Sequence, residues 1–224
     1  MGNNNTPAAD KNAAVNVTLL VPDMPSMEEV IPFLVEIDNN KWYSNFGPLC
    51  LAFEKQLKSH FFPELETDSR RMVSCSNGTT AIELALITLD LPAGARVLLP
   101  AFTFPATATA VIRAGLTPVF ADVDEKSWQL TPDIARHLRG QTSFDAVLPV
   151  AALGMPHNAL AWQKFSRDAG VPVVIDAAAA LGMQETCPGI TVCYSLHATK
   201  SFGVGEGGVI VAANNAMGER IRQM

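Results

Sequence analysis

Three short stretches of the chain carry polar side chains at odds with their apolar surroundings. Lys200 stands in YSLHATKSFGVGEGGVIV (Tyr194–Val211), between a β-like run and a segment holding Gly203, Gly205, Gly207 and Gly208. An amine among small and apolar neighbours loses its proton more readily than one in water and becomes a nucleophile. The plain alternative is an exposed surface lysine. Asp176 ends the apolar run VPVVID and precedes four alanines. A carboxylate in that place is either a helix N-cap or a functional charge in a low-dielectric site. The alanines imply a slim adjoining helix, with room for a flat ligand above the strand ends. After RMVSC, the residues Ser76, Asn77, Gly78, Thr79 and Thr80 turn straight into a helical pattern. Free N–H groups and the positive helix end there suit a phosphate, and Gly78 permits close approach. An ordinary N-cap by Asn77 or Thr79 accounts for the same residues.

A phosphate cradle, a lone acid and a lone lysine, in that order on one sheet, fit pyridoxal phosphate (PLP). That cofactor needs a Schiff-base lysine, an anionic partner for its pyridinium nitrogen and a phosphate cup. The glycines after Lys200 also fit G-x-G-x-x-G, the mark of a dinucleotide loop. A dinucleotide loop follows a strand and opens a helix, with an acidic residue about 20 positions on. Here the glycines lead into GGVIVA, which is strand-like, so a hairpin is the better reading and a nicotinamide cofactor is set aside.

The elements that must position these residues are legible from periodicity. From residue 70 onward RMVSC, RVLLP, TPVFAD, DAVLPV, VPVVID, VCYSL and GGVIVA read as buried strands, being β-branched and bounded by Gly, Pro or Asp. Between the early ones, TTAIELALITLD, PATATAVIRAG, TPDIARHLRG and HNALAWQKFSRDAG have helical spacing. Thr131-Pro132 reads as a cap followed by a first-turn proline, and Gly140 and Gly170 as helix stops. The alternation predicts a three-layer α/β/α fold around a mostly parallel mixed sheet. Upstream, GPLCLAFEKQLKSHF places Leu49, Phe53, Leu57 and His60 on one helical face, with His60 read as a packing residue. NNAMGERIRQM reads as a polar helix start.

Bulk properties narrow the function further. The 224 residues are 48% hydrophobic and 17% charged, with a net charge of −6, which is globular and argues against a nucleic-acid partner. No apolar stretch approaches the roughly 20 residues of a membrane span. The opening MGNNNTPAADKNAAVNV reads as a disordered polar tail rather than a signal peptide. Met1-Gly2 with Thr6 gives only a fragmentary myristoylation match. Cys50, Cys75, Cys187 and Cys193 are widely spread without a nearby His pair. They read as structural thiols of a reduced, cytoplasmic protein, and no metal site is expected.

The motifs SNGTTAIELAL, VLLPAFTFPATATAVIRAGLTPVFADVD, VVIDAAAALG and YSLHATKSFGVGEGGVIV together resemble the DegT/DnrJ/EryC1/StrS aminotransferases, PLP enzymes of sugar amination. The likeness runs from about Trp42 to Met224, and WYSNFGPLCLAFEKQL resembles the family's substrate loop and first helix. It implies fold type I, with Lys200 as the Schiff-base lysine and Asp176 on the pyridinium nitrogen. It also implies phosphate contacts from Gly78, Thr79 and Ser195, and ring stacking by Phe104. By the same resemblance glutamate donates the amino group, a nucleotide-linked keto-sugar accepts it, and the protein is a homodimer. Residues 1–25 are then a polar tail and extended segment, and 26–224 a PLP-binding large domain. Within that domain, helices occupy 26–62 and the α/β core 70–224, and the family's small C-terminal domain is largely absent. Many relatives carry His or Gln three residues after the aspartate, where this chain has Ala179. The alternatives are a non-catalytic homologue acting as an interaction or regulatory module, and a PLP-dependent sugar dehydratase. The family's dehydratases replace the lysine with histidine, and Lys200 speaks against that.

Overall fold

A computed structural model of the chain describes residues 21–68 and 70–224. Of the expected N-terminal tail, residues 1–20 lie outside the described residues, while Val21–Pro25 is exposed and without regular secondary structure. Helix α1 (Met27–Asn40) opens with a reciprocal Ser26–Glu29 capping box, and α2 (Pro48–Phe61) opens on a first-turn proline. Then follow β1 (Met72–Cys75), α3 (Gly78–Ile87), β2 (Arg96–Pro100), α4 (Pro105–Arg113), β3 (Thr117–Ala121) and α5 (Pro132–Arg139). The chain continues through β4 (Ala146–Val147), α6 (Ala159–Ala169), β5 (Val174–Asp176), β6 (Thr191–Ser195), β7 (Gly208–Val211) and α7 (Asn215–Gln223).

The strands pair as β1-β7-β6-β5 and β3-β2-β4. Parallel bridges Val147–Val173 and Val150–Asp176 join the two ribbons into one twisted sheet. Among its ladders, β2–β3, β2–β4 and β5–β6 are parallel, and β7 runs antiparallel to both β1 and β6. The strands alternate their side chains between two apolar layers, as period-2 geometry requires. Val97, Leu99, Cys193 and Ile210 meet α3, α4 and α7 on one face, while Leu98, Val192, Tyr194 and Val209 meet α2, α5 and α6 on the other. This is the expected three-layer α/β/α arrangement with a mostly parallel mixed sheet.

Local chemistry explains most boundaries. Asn77, Thr131, Asn158 and Asn214 cap α3, α5, α6 and α7 through their side-chain oxygens, each satisfying an otherwise orphaned first-turn N–H. Gly170 ends α6 in the left-handed conformation, φ 63°. Gly140 also follows a helix end, but with φ −78° it does so without needing glycine's freedom. His60 is exposed and edge-on to Phe61 at 4.6 Å, a surface packing contact.

One expectation is corrected. Ala177–Ala180 form tight turns, not a slim helix, with Ala180 N–H donating to Ala177 O and Met183 N–H to Ala180 O. Alanine favours helix, but four residues cannot repay helix nucleation. Ala177 is still tied to the sheet through Cys193 O, and Gly182 turns the chain at φ 81°.

The closest packing lies where α3 and the β7 hairpin meet. A methyl group on Gly208 would collide with Asn77 O and come within 2.8 Å of Cys75 Sγ. Backbone cannot yield as a flexible side chain does. Gly208→Ala is therefore expected to lower unfolding stability by about 1–3 kcal/mol, measured by urea denaturation. A change within about 0.5 kcal/mol would show that this junction is looser than described.

Candidate active site

The sheet places its functional residues at the carboxyl ends of parallel strands, where open α/β folds gather ligands. Asp176 is the last residue of β5 and Ser195 the last of β6, and Gly78 opens α3 directly after β1. Lys200 follows β6 across a turn in which its own N–H donates to His197 O at 2.8 Å. Phe104 is the residue before α4, which packs alongside α3. Gly78, Thr79, Phe104, Asp176, Ser195 and Lys200 all line one cleft of about 510 Å³, a volume typical of small-molecule sites.

The phosphate-sized end of the cleft is built from backbone. Asn77 Oδ1 takes the Thr80 N–H at 2.8 Å, and Asn77 O takes the Ala81 N–H. The Gly78 and Thr79 N–H groups come before any intrahelical acceptor can exist, as at every helix start. They remain as donors at the positive end of the helix. In SNGTTA, Asn77 caps the helix and leaves the next two N–H groups without a partner inside it. Ser195 Oγ accepts the His197 N–H at 3.2 Å, which leaves its own proton to donate. Gly78 is fixed by packing as well, since a Cβ there would sit 2.8 Å from Ser195 Cβ.

The opposite wall carries the acid. Asp176 is only 4% exposed, and its two oxygens are held separately. Thr107 Oγ1 donates to Oδ2 at 2.7 Å, and the Ala178 N–H donates to Oδ1 at 3.1 Å. Thr103 Oγ1 lies 2.7 Å from Thr107 Oγ1. Desolvation pushes the Asp176 carboxyl above its usual range, opposed by the Thr107 and Ala178 hydrogen bonds and by the Lys200 charge. Phe104 is 77% exposed at the rim, leaving a ring face open to a ligand. Ala178, rather than Ala179, lines the cleft, and neither offers a side-chain hydrogen bond.

Sequence reading missed Thr103 and Thr107, the first just before α4 and the second within it. It also missed His197, Thr199 and Glu206, which line the same cleft. His197 Nδ1 lies 2.9 Å from Thr199 Oγ1, and its Nε2 lies 3.5 Å from a Glu206 carboxylate oxygen. They link the Lys200 turn to the glycine-rich return arm. Cys50, Cys75, Cys187 and Cys193 are free thiols, and among the described residues no cluster of His, Cys, Asp and Glu is arranged to hold a metal.

The donor set fits PLP: two helix-start N–H groups and a hydroxyl for a phosphate, a dry carboxylate for a ring nitrogen, and one amine for an aldehyde. Comparison with known proteins agrees. A sequence profile of the DegT/DnrJ/EryC1/StrS aminotransferase family matches residues 26–224. Protein Rv3402c of Mycobacterium tuberculosis is 32% identical over 209 residues, covering 88% of this chain and 49% of that protein. The dTDP-4-amino-4,6-dideoxy-D-glucose transaminase of Shigella dysenteriae is 31% identical, covering 91% of this chain and 54% of the relative. Among solved structures, DesI in the presence of its TDP-sugar product superposes with a TM-score of 0.75 at 30% identity, covering 91% of this chain and 52% of that one. The chain spans about half the length of the curated relatives it matches.

The dry carboxylate has a thermodynamic signature. A folded-state acid pKa above its unfolded value means that stability is lost as pH rises through the folded pKa. Asp176→Asn is therefore expected to raise the melting temperature of the cofactor-free protein at pH 7. Thr107 can turn its hydroxyl to accept from the new amide and donate to Thr103. The advantage should shrink as pH falls toward the ordinary carboxyl value of 3.8. A variant less stable than wild type at pH 7 would contradict this.

Proposed function

The chain belongs to the DegT/DnrJ/EryC1/StrS aminotransferase family, whose cofactor is PLP, and from that premise we propose that it carries the cofactor-binding and catalytic half-site of a sugar aminotransferase. The convergence of Lys200, Asp176 and the Gly78–Thr79–Ser195 cup on one cleft carries the reading. PLP, when bound, supplies an electrophilic carbon and an electron-withdrawing ring. The Gly78 and Thr79 N–H groups and the Ser195 hydroxyl hold the phosphate. Asp176 would pair with the ring nitrogen and favour a proton there, which a buried carboxylate does well because the pair forms out of water. Phe104 covers one ring face. Lys200 Nζ is the nucleophile of the site. In that role Lys200 would also be the base placed to move a proton at the amino donor's α-carbon.

Glutamate is the proposed donor and a nucleotide-linked keto-sugar the proposed acceptor. The names of the Shigella transaminase and of the DesI complex, both concerning thymidine-nucleotide sugars, support that acceptor class. A homodimer is proposed as well. Phe104 is exposed at the cleft rim, Phe102 and Trp128 are exposed against each other, and α1 leaves Ile31, Phe33, Leu34 and Val35 exposed, apolar surface of the kind interfaces cover. No helix among the described residues is long and apolar enough to cross a membrane, and a cytoplasmic setting is the reading adopted. Lys200 and Asp176, both facing the cleft, favour an enzyme over a non-catalytic PLP-binding homologue, and Lys200 favours amination over dehydration.

Adding glutamate to the PLP-loaded protein is expected to replace the long-wavelength absorbance with that of the pyridoxamine form and to release 2-oxoglutarate. Bound PLP that does not convert with glutamate or any other amino acid would favour the non-catalytic homologue. Phe104→Ala is expected to raise the Kd for PLP about threefold to tenfold, read by absorbance titration. Unchanged affinity would remove Phe104 from the site.

A further inference from the structure

We propose that Thr107, backed by Thr103, is a positioning residue that keeps the Asp176 carboxylate ionised and turned toward the cleft. The inference rests on the reading of Asp176 as the partner of the cofactor's ring nitrogen. It goes further by assigning the task of maintaining that partner to two hydroxyls on another element.

The geometry constrains where the protons lie. Thr107 is 1% exposed, so its hydroxyl cannot turn to bulk water. Asp176 Oδ2, at 2.7 Å, takes its single proton. Thr103 Oγ1 is equally close to Thr107 Oγ1. With Thr107 donating to an ionised Asp176, Thr103 is left to donate to Thr107 Oγ1 at 2.7 Å, closer than its other acceptor, Phe104 O at 3.4 Å. Thr103 is half-buried in the segment just before α4. The relay therefore runs from the rim inward, Thr103 to Thr107 to Asp176, with each hydroxyl polarising the next. The Ala178 N–H holds the other carboxylate oxygen at 3.1 Å. Two donors from two directions fix the carboxylate plane and favour its charged form.

The relay is needed because burial works against ionisation here. A carboxylate this dry favours its neutral form unless charged-form hydrogen bonds offset the lost solvation. A neutral acid would be a poor partner for a pyridinium. The other titratable or charged groups around Asp176 are Lys200 and His197 after β6, Cys193 beside it in the sheet, Glu206 on the return arm and Arg113 of α4. Lys200 favours the charged form, but its amine is committed to chemistry and changes state during turnover. The threonines do not titrate, so their support is constant throughout the cycle.

The test compares Thr107→Val, close in shape but without the hydroxyl, with Thr107→Ser, which restores it. In the cofactor-free protein, Thr107→Val is expected to destabilise less as pH falls and the carboxyl takes up a proton than it does at pH 7. This pH-dependent part should vanish in an Asp176→Asn background, and Thr107→Ser should recover it. In the PLP-loaded protein, the ring-nitrogen NMR shift of isotope-labelled cofactor should move toward the unprotonated value in Thr107→Val. Its kcat should fall on the order of tenfold with KM for the amino donor little changed. Thr103→Val should give a smaller change in the same direction. A pH-independent loss of stability that persists in the Asp176→Asn background would reduce Thr107 to a packing residue and overturn the proposal. Failure of the wild type to take up PLP would instead refute the cofactor reading, while the cofactor-free cycle would still decide the threonine relay.

Discussion

A carboxylate held almost dry at the end of β5 is the feature around which the rest of this site is arranged. Charge in a low-dielectric place is costly unless specific donors replace the lost water. Asp176 has those donors in Thr107 and the Ala178 N–H, and both depend on the architecture. Thr107 reaches it only because α4 packs against α3 over the same sheet face. The Ala178 N–H reaches Oδ1 from the tight turn that follows β5, the same donation an N-cap aspartate accepts from the second residue of a helix. The residual destabilisation is of the kind tolerated at functional sites, where local strain is offset by the surrounding fold.

The second constraint is closeness between α3, β6 and β7. The Gly78 and Thr79 N–H groups sit at a helix start that presses against Ser195 on one side and Gly208 on the other, leaving no space for a side chain at Gly78 or Gly208. That contact sets the position of the α3 start relative to the last residue of β6, and thus to the turn bearing Lys200. The hairpin is closed by backbone bonds, Leu196 N–H to Gly207 O, Val204 N–H to Leu196 O and Ala198 N–H to Gly205 O. The glycines that look like a nucleotide loop in the sequence serve here as a hairpin that brings Lys200 back over the sheet. Only Gly205 among them needs positive φ, at 95°, while Gly203 and Gly207 are small because Ala198 and Leu196 crowd them.

Much of this was readable in advance, for identifiable reasons. The strands were legible because β-branched runs bounded by Gly, Pro and Asp have few other uses, and the caps at Asn77 and Thr131 because their chemistry is local. Lys200 and Asp176 stood out as polar residues in apolar context. What stayed hidden depends on contacts far apart in sequence. Thr107 reaches Asp176 across 69 residues, and nothing in TFPAT says which way a threonine faces. The alanine turn was misread because intrinsic propensity favoured helix, whereas the tie of Ala177 to Cys193 O and the turn at Gly182 decided otherwise. Gly78 was read for the ligand it might admit, and the packing against Ser195 that also requires it became visible only in three dimensions.

The account turns on Lys200 being the one amine placed to bond the cofactor's aldehyde. Borohydride reduction of the protein incubated with PLP, followed by peptide mass spectrometry, tests this directly. The expected result is a single pyridoxyl-phosphate adduct on the peptide containing Lys200, absent from Lys200→Ala. An adduct spread over several surface lysines, or one that survives in Lys200→Ala, would contradict the assignment of the site.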